Sequence, residues 1–296
     1  MPSDVSASEN LARSRVANRI PPHAYFLVSA VFHYLGPSFA VLLFARLAPA
    51  GVAWLRIASA GAVFAVWRRP WRAFLTLPRH DQAVIAGLGA VLAAMNTVFY
   101  EAIAQLPLAT VGAIEFLGPI GIAAWGVRTR RNLAALVLAS AGAFVLTDVR
   151  IVGEALGFIL AFGNCALFAA YIVLGHRISA GGAGVSGVDR LGCAMLVATI
   201  AALPFGLRAA LPALTDPLLL AASFGVGVSS SVIPYVCDQL AMARLPRASF
   251  ALLLSLLPAS AAAIGLLVLH QMPRPGDFVG IALIMVGVAL HRVTTP

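Results

Sequence analysis

Of 296 residues, 61% are hydrophobic and only 10% are charged, where a soluble domain carries about a quarter charged residues. With a mean hydropathy of +0.94 the chain is too apolar for a soluble enzyme or binding module and reads as a membrane protein. The formal charge of +9 does not point to nucleic acid, because the 20 basic residues, all Arg, are scattered through short segments between apolar runs.

A hydrocarbon core about 30 Å thick takes roughly 20 residues to cross as a helix. A polar leader, Met1–Pro22, carries three Arg and no small-residue cleavage pattern, so it reads as an uncleaved cytoplasmic tail. Ten apolar runs follow, near His23–Phe44, Pro49–Trp67, Gln82–Leu106, Leu108–Val127, Asn132–Thr147, Ala155–Gly175, Val188–Leu207, Leu218–Leu240, Ala248–Leu269 and Phe278–Leu290. With the N-terminus inside, fifteen Arg fall in inner segments and four (Arg46, Arg150, Arg208, Arg274) in outer ones, while Arg56 lies within the second run. The positive-inside rule then places both termini in the cytoplasm.

The chain repeats itself. Shifting it by 139 positions lays Tyr100–Gly126 on Gln239–Gly265 with ten of 27 positions identical, including Pro107 on Pro246 and Pro119 on Pro258. The first proline of each copy opens a helix, where a missing N–H costs nothing, and the second falls midway, where it bends one. Five runs per half is an odd number, so the second half must enter the bilayer from the opposite side. The expected fold is therefore all-α, with ten transmembrane helices in two inverted five-helix repeats. These are residues 23–148 and 149–292, preceded by the 1–22 tail. Inverted repeats of this kind bind their cargo near the midplane between the halves.

Three stretches carry a family resemblance: RPWR at Arg69–Arg72, NTVFYEAIAQLPLATVGAIEFLGPIG at Asn96–Gly121, and IPYVCDQLAMARLPRASF at Ile233–Phe250. They resemble the drug/metabolite transporter superfamily, EamA type, and within it most the threonine/homoserine exporters. The resemblance implies a bacterial inner-membrane location and efflux of small amino acids or related metabolites. Two positions depart from the pattern: Gln271 stands where a glutamate is expected after the ninth run, and Leu257 where one is expected before the proline of SLLPAS.

Charges inside the apolar runs are the candidate site. Glu115 lies eight residues from Pro107, roughly 12 Å deep at 1.5 Å per residue. Arg56 lies seven residues from Pro49, roughly 10 Å deep from the same side. An ionised group facing lipid there would cost at least about 2.5–3.5 kcal/mol, so both should face the interior, each as the other's partner. A structural ion pair is the plain reading. The functional one gives a substrate carboxylate to the Arg56 fork, and either the substrate ammonium or a proton to Glu115.

Asp238, seven residues before Leu245, is a second acid at depth and a second candidate for proton coupling, with pairing to Arg244 or Arg247 as its alternative. Asn96 and Tyr100, four apart on one face, join the substrate-binding set. So do Tyr171 and Tyr235, with Asn164 a similar candidate, although hydrogen bonding between helices is the commoner role for such groups. His33 beside the Gly36–Pro37 kink could relay a proton or simply bond a neighbour. Glu101 falls near the outer surface, and Ser229–Ser231 with Gly225 and Gly227 read as close-packing positions.

Enzyme readings are poor. Without Lys there is neither a P-loop nor a pyridoxal Schiff base, and no HExxH or CxxC occurs. No cofactor or metal is expected, and Cys165, Cys193 and Cys237 read as free buried thiols. GVSG at Gly184–Gly187 imitates a rhomboid-like protease motif, but Ser186 falls in a polar loop. The remaining alternatives are a carrier of a different metabolite or drug and a non-transporting receptor. The expected partners are a small-molecule substrate and the lipid bilayer, with a homodimer left open and no nucleic acid.

Overall fold

A computed structural model describes residues 21–115, 117–118, 129–146, 151–179, 185–245, 257–272 and 274–290. In order, the helices are α1 (Pro22–Leu43), α2 (Pro49–Arg68), the short α3 (Trp71–Phe74), α4 (Arg79–Ile103), α5 (Leu108–Glu115), α6 (Arg130–Leu146), α7 (Ile151–Ser179) and α8 (Gly187–Thr215). Then come α9 (Pro217–Gly227), a π-helical turn (Val228–Val232), α10 (Ile233–Met242), α11 (Leu257–Leu269) and α12 (Pro275–Leu290). Six rods are long and apolar enough to cross a membrane, and two shorter apolar helices accompany them among the described residues. Taking Pro217–Met242 as one rod and setting α3 aside, the described helices number ten, one for each expected run.

Proline begins several of these rods for the reason anticipated. Pro22, Pro49, Pro217 and Pro234 stand at the first or second helical position, where the fixed φ suits the helix and the absent N–H had no partner to lose. The observed rods differ from the expected runs chiefly at polar ends. α7 and α8 are each 29 residues long, about 43 Å, and so outreach the hydrocarbon core. Helical hydrogen bonding carries them past the apolar stretch that hydropathy can see. Pro119 and Pro246 lie outside the described residues, as do residues 116 and 119–127 of the fourth run and 248–256 of the ninth.

Close approaches define the packing. Along α2 and α8, Gly51 lies against Ala209, Trp54 against Gly206, Gly61 against Thr199 and Phe64 against Gly192, so the two run antiparallel. Gly142 meets Gly280 and Ile284, while Gly287 meets Ala135 and Ala139, so α6 and α12 do the same. Gly112 on Ala261 and Leu108 near Gly265 repeat the pattern for α5 and α11. Small residues at these crossings let backbones approach, which is how helices associate where lipid removes the hydrophobic drive between them.

The remaining contacts come in matched sets. α1 packs on α10 and α11, and α7 packs on α4 and α5. Helix α2 is covered by α9 and α8 by α4. Large apolar side chains such as Val66, Ile159, Ile200, Phe205 and Leu218 point outward, as a lipid-facing surface requires.

Candidate functional site

The polar interior is assembled from six rods. α1 contributes Ser29, His33 and Tyr34, α2 contributes Arg56, α4 contributes Asn96 and Tyr100, and α5 contributes Glu115. Asn164 and Tyr171 come from α7, and Ser230, Ser231, Tyr235 and Asp238 from the π turn and α10. Arg56 is 4% exposed, Glu115 2% and Asp238 6%, so all three charges face the protein interior.

Arg56 and Glu115 do not pair as expected. Arg56 Nε donates to Ser231 Oγ at 2.7 Å, and its Nη2 donates to the Ser230 carbonyl at 2.5 Å. Its guanidinium lies 5.3 Å from the centre of the Tyr100 ring and 5.9 Å from that of Tyr235, a cation–π setting that suits a desolvated cation. The backbone explains the Ser230 contact. Pro234 has no N–H to offer the carbonyl four residues back, so that carbonyl is open to another donor, and the π turn is the local adjustment around it. Ser230 also packs tightly against Gly36, so the serine run serves close packing and holds the arginine.

Glu115 keeps separate company. Its Oε1 accepts from Asn164 Nδ2 at 3.0 Å and its Oε2 from the Tyr34 hydroxyl at 3.2 Å, with His33 Nε2 at 3.9 Å. Both charged groups nevertheless line one narrow cavity, together with His33, Pro37, Met95, Asn96, Phe99, Asn164 and Tyr235. Asn96 Nδ2 donates to the Leu92 carbonyl at 2.7 Å. The Oδ1 atoms of Asn96 and Asn164 are buried without a hydrogen-bond partner, and the Tyr100 hydroxyl lies near Ser230 and Arg56 outside hydrogen-bonding geometry.

A second cavity lies beside the first and shares His33 with it. It surrounds Asp238, whose Oδ1 accepts from Ser29 Oγ at 2.5 Å and whose Oδ2 accepts from the Tyr171 hydroxyl at 3.5 Å. Tyr171 in turn packs on Tyr235 with ring centres 5.4 Å apart. The alternative of Asp238 pairing with Arg244 does not hold: Arg244 Nε reaches the Leu240 carbonyl, and its guanidinium stacks on Tyr25. Arg247 lies outside the described residues. Each cavity has room for about one water molecule.

The structure thus gathers Arg56, Glu115, Asn96, Tyr235 and His33 around one cavity and Asp238 and Tyr171 around its neighbour, while Tyr100 stacks beneath the arginine. Glu101 is half-buried away from both. Ser29, Tyr34 and Ser231 were not foreseen as partners of the charges. A signal existed for the first: Ser29 and His33 are four apart, hence on one face of an otherwise apolar helix.

Outside the cavities the motif candidates resolve into structure. Ser186 caps α8, accepting from the Asp189 N–H while its own N–H is taken by the Asp189 carboxylate. The GVSG serine is therefore a helix cap. Cys193 donates its thiol hydrogen to the Pro70 carbonyl, and all three cysteines are free, Cys165 and Cys193 buried as expected and Cys237 only half-buried. Among the described residues no group of His, Cys, Asp and Glu is placed to hold a metal.

Comparison with known proteins bears on this arrangement. Residues 155–292 match the model of the EamA-like transporter family. The threonine/homoserine exporter RhtA of Escherichia coli strain K12 is 30% identical over 258 residues, spanning 86% of this chain and 85% of that protein. RhtA of Salmonella typhimurium strain LT2 is 32% identical over 243 residues, spanning 80% and 79%. A solved crystal structure with 17% identity superposes with a TM-score of 0.59 over 90% of this chain and 97% of its own, a likeness of fold.

Proposed function

Because the chain belongs to the EamA-like transporter family, we propose that it is a secondary-active exporter of amino acids, threonine- or homoserine-like, or of related small metabolites, driven by protons across a bacterial inner membrane. One observation carries the substrate class. Two buried, opposite charges face one cavity without neutralising each other, which leaves Arg56 for a carboxylate and Glu115 for an ammonium. A purely structural pair would be in direct contact, since an unpaired buried charge is costly. A zwitterion supplies both missing partners at once. The direction, outward, and the proposed cargo follow the named activity of the relatives.

Two inverted five-helix repeats, 23–148 and 149–292, are the architecture in which this works. Support comes from the matched packing: exchanging α1 with α7, α2 with α8, α4 with α9 and α10, α5 with α11, and α6 with α12 turns the principal contacts into one another. The three self-matched pairs, α2–α8, α5–α11 and α6–α12, are antiparallel at their close approaches. A two-fold axis lying in the membrane plane produces that, and an axis along the normal would make them parallel. The excess of Arg on one side orients both termini to the cytoplasm.

Glu115 and Asp238 are the proton-coupling groups in this reading, with His33 between their cavities. The test is threonine flux in proteoliposomes under an imposed pH gradient. Glu115→Gln is expected to lose about tenfold or more of the gradient-driven flux, a barrier change of at least about 1.4 kcal/mol, while reaching the membrane in normal amount. Normal gradient-driven flux in the glutamine variant would remove the proton role.

A further inference from the structure

The cavity between Arg56 and Glu115 contains two carboxamides whose orientation is fixed by what their nitrogens do. Asn96 must turn its NH2 toward the Leu92 carbonyl, and Asn164 must turn its NH2 toward the Glu115 carboxylate, since either oxygen in those positions would face another oxygen. Each side chain therefore presents its carbonyl oxygen elsewhere, and in each that oxygen is buried and unpartnered. Asn96 is 1% exposed and Asn164 is fully buried. A buried acceptor left unpaired costs about 1–3 kcal/mol, and two such atoms in one cavity describe what a ligand must bring: two hydrogen-bond donors beyond the carboxylate held by Arg56.

The two acceptors are not equivalent. Asn164 is bonded to Glu115, so its oxygen belongs to the anionic end of the cavity, where an ammonium with three donors can use both the carboxylate and the amide. Asn96 stands on α4 beside the tyrosine pair that flanks Arg56, with its side chain near the Tyr235 hydroxyl, and no hydrogen bond joins it to Glu115. We propose that Asn164 Oδ1 shares the substrate ammonium with Glu115, and that Asn96 Oδ1 accepts the hydrogen of a side-chain hydroxyl. Asn96 thereby selects hydroxylated amino acids over apolar ones of the same size. This rests on the amino-acid reading above and adds the group that discriminates among amino acids. The energetic asymmetry favours it: a site built to bond a hydroxyl strands its own buried acceptor when an analogue without one enters.

The test uses the full-length protein in proteoliposomes, with threonine and valine as near-isosteric cargoes and uptake of each followed separately. Wild type is expected to prefer threonine by about tenfold or more. Asn96→Leu should lower threonine flux about tenfold and hold valine flux within about twofold, collapsing the preference. Asn96→Ser, which keeps an acceptor oxygen, should recover part of it. Asn164→Leu should lower both cargoes together and leave their ratio unchanged. If Asn96→Leu lowers threonine and valine equally, or leaves the ratio intact, the assignment of Asn96 is overturned while the amino-acid reading stands. If wild type moves neither cargo, the amino-acid reading fails and this inference with it.

Discussion

Arg56 is held by side chains that an ordinary sequence pattern would assign to packing. Its Nε and Nη2 diverge to a serine hydroxyl and a carbonyl freed by Pro234, and two aromatic faces complete the setting. Lysine offers a point charge in place of the planar fork and cannot span both partners. Arg56→Lys should therefore keep the protein folded and lose about tenfold in apparent affinity for carboxylate-bearing cargo, measured by substrate competition. Retained affinity would show that charge alone suffices. At this scale the sequence was legible where it broke a strong rule. Arg56, Glu115 and Asp238 stand out because charges at bilayer depth are expensive. Their partners were less legible, because Tyr34 and Ser29 cost little in a helix and announce nothing. The expected Arg56–Glu115 contact followed from equal depth, and depth counted along two rods does not give the azimuth at which each side chain leaves its helix.

Helix ends and crossings set how far the rods can shift. α2 and α8 are tied at both ends: Arg46 to Asp216 at 2.8 Å and Arg68 to Asp189 at 2.7 Å. Asp216 is also the N-cap of α9, accepting from the Leu218 and Leu219 N–H groups. Those bonds, that of Leu219 foremost, together with Arg46, hold its carboxyl below the ordinary aspartate range. With the folded value depressed, the contribution is fully present above the unfolded value near about 4 and is lost only as pH falls through the lower folded one. Asp216→Asn should then lower the melting temperature by the same amount at about pH 5.5 and 7.5. A loss confined to one of these would contradict the assignment.

The α1–π crossing is tighter. A Cβ at Gly36 would overlap Ser230 backbone and side chain, whereas one at Gly87 would meet nothing. Gly36→Ala should cost about 1–3 kcal/mol in thermal unfolding, as overpacking does, with Gly87→Ala neutral or better. Equal behaviour of the two would mean that the crossing yields. The rods themselves were readable from hydropathy and from proline at their starts, but the π turn was not. It arises where a proline, a serine run and a buried arginine compete for the same carbonyl, a tertiary circumstance without local periodicity.

Taken whole, the molecule is an all-helical, multi-pass membrane transporter whose buried charges sit within an apolar core and whose outer face also carries large apolar side chains. In the proposed two-repeat architecture, the likeness of Tyr100–Gly126 to Gln239–Gly265 is the origin of the matched helix contacts, because similar segments pack by similar rules. The site draws residues from both proposed halves: Arg56 and Glu115 come from the first, and their partners Ser230, Ser231 and Asn164 from the second, so any rocking of one half against the other changes the contacts each charge makes. With cavities the size of a water, a cargo as large as the proposed amino acid would enter only when the two halves part, and closure around it would bring its carboxylate and ammonium to Arg56 and Glu115. That coupling of cargo to closure is what alternating access requires.

The most direct measurement is competition against radiolabelled threonine in proteoliposomes by two truncated analogues: threonine methyl ester, which lacks the carboxylate, and the corresponding 2-hydroxy acid, which lacks the ammonium. In wild type both should compete at least about tenfold more weakly than threonine. Arg56→Ala should erase the penalty on the ester alone, and Glu115→Gln the penalty on the hydroxy acid alone. Analogues that compete with wild type as well as threonine does, or variants that keep both penalties, would contradict the claim that these two buried charges divide a zwitterion between them.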